Sequence, residues 1–188
     1  MTFKTFLVSF VLFTTAASAQ PVIGGLILGS PLTDAIQLNS VPGYAAASVN
    51  NGEFIVGPFV QVNLPFRFAL EVDALHRGYS FDLTPGSSST SISSWEFPVL
   101  AKYRFWKGPV RPFAEGGLVF NHVSGFDEVI TAPHDSTWGV SLGAGVDIHA
   151  LVLHISPEIR YDGFVFKNFG DQIQSIRNQA MFVVAIGF

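Results

Sequence analysis

The sequence predicts an all-β chain closed into an eight-stranded antiparallel up-and-down barrel. Three observations predict it. After residue 20 the apolar residues recur with period two and never sustain an i, i+3, i+4 stripe. The connections between the alternating segments run long and short in turn. The composition is 48% hydrophobic and 14% aromatic, with only 13% charged residues, where an ordinary soluble domain carries about a quarter.

The alternation places strands at about 22–30, 52–64, 66–81, 91–106, 110–123, 136–148, 151–166 and 177–188. Arg67 to Ala74 and Trp95 to Arg104 alternate polar or small with apolar residues. Trp138 to Asp147 and Leu153 to Tyr161 do the same, and Phe182, Val184, Ile186 and Phe188 share one face of the last strand. Pro31 to Asn51, Asp82 to Thr90, Ser124 to Asp135 and Lys167 to Ile176 are the long connections. Pro65, Lys107-Gly108-Pro109 and His149-Ala150 are the tight ones. Pro58, Pro98, Pro112 and Pro157 fall inside strands, where each removes a ladder donor, so bulges or broken pairing are expected there.

The first nineteen residues stand apart from this pattern. Lys4 precedes the apolar run Phe6 to Phe13, and Ala17-Ser18-Ala19 is a small-x-small cleavage site. That is the layout of a cleaved export signal, cut before Gln20, leaving 20–188 as one barrel domain. Cleavage takes Lys4 from the 10 basic residues and leaves 9 against 14 acids, moving the formal charge from −4 to −5. With no basic run, nucleic acid is not an expected partner. With no cysteine, disulfides cannot hold the exported chain together. No apolar run after residue 19 suffices for a membrane helix, and a greasy exported chain without one can occupy a membrane as a closed barrel.

Sorting the strands by parity segregates charge. Phe68, Leu70, Val72, Phe97, Val99, Val140, Leu142 and Ile159 fall on one face. The opposite face collects Glu71, Asp73, Glu96, Glu115, Asp147 and Glu158 with Arg67, Arg77, Lys102, Arg104, Arg111 and Arg160. A charge facing lipid near the midplane costs about 2–4 kcal/mol, so the charged face is assigned to the lumen. An eight-stranded lumen is only wide enough for side chains to fill. Six acids and six bases are therefore expected to pair there as a structural network. Lys102 and Arg104 are placed beside Glu71 and Asp73, and Glu115 diagonally across a hairpin from Lys102. Phe66, Phe68, Tyr103, Phe105, Trp106 and Phe188 mark one aromatic belt near the tight turns. Tyr79, Phe81, Trp95, Phe120, Trp138, Tyr161 and Phe164 mark a second near the long loops. Short turns on the periplasmic side are usual for such barrels, which puts both termini there.

The stretches Trp95 to Arg104, Gly108 to Gly117 and Ile155 to Tyr161 resemble the OmpA/OmpX-like outer-membrane barrel superfamily, and within it the group called "outer membrane beta-barrel protein". The resemblance spans essentially the whole mature chain. It implies outer-membrane lipid and the outer-membrane assembly machinery as partners, the latter reading the strand that ends in Phe188. Any further partner would meet the external loops, and a small pore or transporter is the alternative role. The superfamily shares no single activity.

Site chemistry is sparse. His154-x-Ser156 resembles the His-x-Ser pair of outer-membrane lipid A deacylases. In that family an acid lies on the following strand, whereas 177–188 contains neither Asp nor Glu, and parity turns both residues into the lumen. His76, His122, His134, His149 and His154 show no ligand spacing, and Asp127, Glu128, His134 and Asp135 read as a solvated acidic loop. Gly116, Gly117, Gly143 and Gly145 read as thin spots for sheet curvature. Neither a catalytic set, a cofactor nor a metal is expected. A soluble lipocalin-like binder would require the opposite parity.

Overall fold

A computed structural model describes residues 22–34, 36–38, 46–50, 54–84, 88–124, 136–150, 152–165, 173–175 and 177–188. The expected export signal, 1–19, and the acidic loop around Asp127 and His134 lie outside them. The strands are β1 (Val22–Pro31), β2 (Ile36–Leu38), β3 (Ala46–Asn50), β4 (Ile55–Asn63), β5 (Phe68–Asp73) and β6 (Leu75–Thr84). They continue as β7 (Ser88–Arg104), β8 (Val110–Ser124), β9 (Ser136–Ala150), β10 (Leu153–Phe164), β11 (Ile173–Ser175) and β12 (Asn178–Gly187). All pairings are antiparallel, and β1 closes the circle by pairing with both β12 and β4. β3 extends the second barrel strand, and β5 and β6 are two halves of the third, so the wall has eight strands. Closure removes the edge strands from the barrel wall itself.

The prolines interrupt pairing without shifting it. No bulge forms: register is constant along β4 to β5/β6, β5/β6 to β7, and β9 to β10. The expected broken pairing occurs at Pro58 and Pro98, which flank Ala74 between β5 and β6, and at Pro157 on the β9 side of β10. Pro112 stays in its ladder opposite Val146. At Pro58 the physical reason is direct. The Ala74 amide donates to the Pro58 carbonyl at 3.0 Å, and proline has no N–H to return the bond. The Ala74 carbonyl leans instead over Gly57, where a Cβ would lie 1.9 Å from its oxygen. Only glycine fits beside that proline.

Several connections differ from expectation. The turn placed at His149-Ala150 falls two residues later, since β9 continues to Ala150 and pairs there with Leu153. Parts of two long connections are themselves strands, with β2 pairing β11 as a separate two-stranded ribbon. The turn at Pro65 is as tight as expected. Leu64 N donates to Phe68 O at 2.9 Å, and Phe66 and Arg67 both take left-handed backbone, φ 61° and 72°.

Burial follows the expected parity. Leu70, Val72, Phe97, Val99, Val140, Leu142 and Ile159 are exposed on the outer face, while Glu71, Asp73, Glu96, Lys102, Glu158 and Arg160 are nearly inaccessible. The aromatic belts are thinner than expected. Trp95, Phe120, Trp138 and Tyr161 face outward, but Tyr79 and Phe164 are buried inside. Phe81 falls among residues whose side chains are not described. The lumen also has an apolar sector. Ile23, Ile27, Ile55, Phe59, Leu75, Met181, Val183 and Ala185 pack together along β1, β4, β6 and β12. Among the described residues no helix is long and apolar enough to cross a membrane, which says nothing of crossing by strands.

Candidate functional site

The charged side chains converge in the middle of the lumen because period two aims alternate residues of β5, β7, β8, β9 and β10 inward. Arg160 of β10 is fully buried and is the hub. Its Nη1 donates to Asp73 at 2.6 Å, its Nη2 to Glu158 at 2.5 Å and Glu71 at 3.3 Å, and its Nε to Glu115 at 3.1 Å. Counting round the wall, β5 and β10 are four strands apart in either direction. The pairs from Arg160 to Asp73 and Glu71 therefore span the full diameter.

Lys102 of β7 fills the space beside this hub. Its Nζ lies 2.8 Å from Glu71, 3.5 Å from Glu115 and 3.8 Å from Glu158. Those three glutamates bring carboxylate oxygens within 4.8 Å of one another, a spacing that suits a metal ion. The Lys102 ammonium already supplies the cation, with the Phe113 ring 4.2 Å away. Glu115 sits directly opposite Lys102 in the β7–β8 ladder, not diagonally as the strand ends suggested. It has room because Gly143 faces it: a Cβ there would stand 2.6 Å from Glu115 Oε1.

Two further layers flank the hub. Toward the tight turns, Arg104 Nε pairs with Asp147, and Arg104 Nη1 donates to Asn63 at 2.9 Å. Ser156 Oγ donates to Asp147 at 2.6 Å. Toward the long loops, Arg77 Nη1 donates to Gln179 at 3.0 Å and lies over the Tyr79 ring. Asn121 Nδ2 donates to Ser94 at 2.8 Å and to Glu96 at 3.2 Å. The void bounded by Ile23, Phe59, Gln61, Glu71, Asp147, His154 and Ser156 measures about 10 Å³. One water requires about that much.

Ten of the twelve expected lumen charges are buried there: Glu71, Asp73, Arg77, Glu96, Lys102, Arg104, Glu115, Asp147, Glu158 and Arg160. Two are not. Arg111 is half-buried at the tight-turn end, opposite Asp147, and its Nε makes no hydrogen bond. Arg67 is exposed outside, its Nη1 donating to the Phe105 carbonyl at 2.6 Å. The left-handed turn explains this. Parity counted back from Glu71 sends residue 67 inward, but two successive positive φ angles reverse its direction. One buried acid was missed. Asp162 continues the inward series 156, 158, 160 and is fully buried. The expected balance of six and six thus becomes seven buried acids and four buried bases among the described residues.

His154 and Ser156 do face inward, as parity required. The Ser156 hydroxyl is committed to Asp147, while His154 packs edge-on against His149 with ring centroids 3.8 Å apart. Ser156 is 7% exposed.

With this geometry in hand, comparison with solved structures identifies the architecture. Over 88% of this chain and 93% of the other, it superposes on the outer membrane protein OprG from Pseudomonas aeruginosa, TM-score 0.60 and 13% identity. Over 89% and 96%, it superposes on Neisserial surface protein A, TM-score 0.54 and 15% identity. The fold is that of small outer-membrane barrels. The attachment invasion locus protein Ail of Yersinia pestis is a further match, TM-score 0.48 and 10% identity over 90% of this chain. No protein-family model and no curated protein matches the chain. The barrel shared with OprG and Neisserial surface protein A is a scaffold on which chemistry is set by side chains, and here those side chains tie the middle of the lumen with ion pairs.

Proposed function

We propose that this chain is exported to the bacterial outer membrane and serves there as a structural scaffold with a closed lumen. The observation that carries the reading is the Arg160 hub, whose ion pairs to Asp73 and Glu71 cross the barrel's whole diameter. The apolar outer face supports membrane residence, since Leu70, Val72, Val99, Val140 and Leu142 are exposed where water would disfavour them. In this reading 1–19 is the export signal, both termini and the tight turns face the periplasm, and the strand ending at Phe188 is read by the assembly machinery. The long connections face outward, where any protein partner would meet them.

A pore for small solutes is the competing role. It requires the hub to part, at the cost of separating buried charges. Flux through liposomes carrying the purified barrel tests the choice. The scaffold reading expects glycine and glycerol to leak no faster than from empty liposomes. Flux that rises with protein content, and rises again in Arg160→Ala, would establish a pore.

A further inference from the structure

At the tight-turn end, outside the lumen, an open groove of about 900 Å³ is lined by Phe66, Arg67, Phe68, Tyr103 and Lys107. It has two cations and an aromatic floor, and no acid among its lining residues. The Phe68 and Tyr103 rings pack at 4.9 Å to make the floor, and Phe105 meets Tyr103 edge-on at 5.5 Å. Phe66 is 87% exposed and Trp106 63% exposed beside it. Rings this bare belong at a lipid–water boundary.

Arg67 is held in place rather than free to wave. Its guanidinium donates through Nη1 to the Phe105 carbonyl and lies 5.5 Å from the Tyr103 ring, while its backbone is fixed at φ 72°. That leaves its other N–H groups available to an anion in a defined direction. Two consecutive non-glycine residues in left-handed backbone are unusual, and such conformations concentrate where a site needs them. The outer face above the groove shows what else the occupant must be. The β5–β7 pairs continue from Phe68–Tyr103 to Leu70–Ala101 and Val72–Val99, an unbroken apolar track along the barrel wall.

We propose that this groove binds an anionic glycerophospholipid, its phosphate between Arg67 and Lys107 and an acyl chain along the Phe68-to-Val72 track. The inference rests on the membrane reading given above. A free phosphate would use the cations and ignore the track. A zwitterionic lipid would use the track and gain less from the cations, because its own ammonium opposes them.

Native mass spectrometry of the detergent-purified full chain tests this, with phosphatidylglycerol and phosphatidylcholine offered in equal amounts. The expected result is about tenfold preferential retention of phosphatidylglycerol, from roughly two cations acting on one headgroup. Arg67→Gln with Lys107→Gln brings the ratio close to one, Arg67→Lys keeps most of it, and excess inorganic phosphate displaces nothing. Equal retention of the two lipids by the unaltered chain would overturn the proposal. So would an unchanged preference in the double variant, or release of the lipid by phosphate. Unboiled gel mobility of the same samples separates the two levels of the argument. A closed barrel without lipid preference refutes the groove alone, and a chain that forms no barrel in lipid refutes the membrane reading and the groove with it.

Discussion

Replacing Arg160 by methionine keeps an unbranched stem and removes the guanidinium with its charge. Four carboxylates then lose their shared partner: Asp73 at 2.6 Å, Glu158 at 2.5 Å, Glu115 at 3.1 Å and Glu71 at 3.3 Å. Lys102 is left to serve three of them, and Asp73 loses its ion pair. Removing one member of a buried pair costs about 3–5 kcal/mol, because the survivor stays buried and unpaired. We expect Arg160→Met to cost about 4 kcal/mol, in the middle of that range, which is roughly a thousandfold in the folding equilibrium. Urea titration in detergent, read as the fraction of chain with folded gel mobility, measures it. Adding Asp73→Asn should return about 1–2 kcal/mol by removing one stranded charge. A loss below about 1 kcal/mol at neutral pH would refute the hub as the centre of the plug.

Other expectations follow from the same geometry. Gly117→Ala places a Cβ 1.9 Å from the Val99 carbonyl oxygen and should cost about 1–3 kcal/mol in the same titration. Gly78→Ala, which meets nothing within 4 Å, should be neutral or slightly stabilising. Val99→Arg, on the exposed outer face of β7, should lose about 2–4 kcal/mol in lipid vesicles if its position lies near the bilayer centre. Asp162→Asn should change stability by less than about 1 kcal/mol, because it removes a charge from a lumen where, among the described residues, buried acids outnumber buried bases. A large loss there would show that Asp162 is paired as tightly as Asp73.

Much of the wall was legible from residue order. Period two fixes which residues face the same way, so Glu71, Asp73, Lys102, Glu158 and Arg160 could be assigned to one interior from sequence. What parity cannot carry is a change of direction between strands. Arg67 belongs to the inward series by counting, and two left-handed residues in a three-residue turn send it outside. Nor can parity see a sector whose two faces are both apolar. Residues such as Ile23, Leu26, Ile27 and Leu28 on β1, or Met181, Phe182, Val183 and Val184 on β12, give no sign of which face is the lumen. Pairs across the barrel are equally silent in sequence. That Arg160 reaches Asp73 follows only once eight strands close and set β10 opposite β5. Asp162 follows from the same parity, since it stands two residues beyond Arg160 on the same face.

The most direct test of the whole account is gel mobility of the chain after folding into lipid vesicles, unboiled against boiled. A closed barrel with an apolar exterior and a tied interior should resist the detergent of the gel until heated. A distinct faster band is expected before boiling, present only in samples that contained lipid. A single mobility with and without boiling, from a chain that stays dissolved in buffer alone, would contradict it.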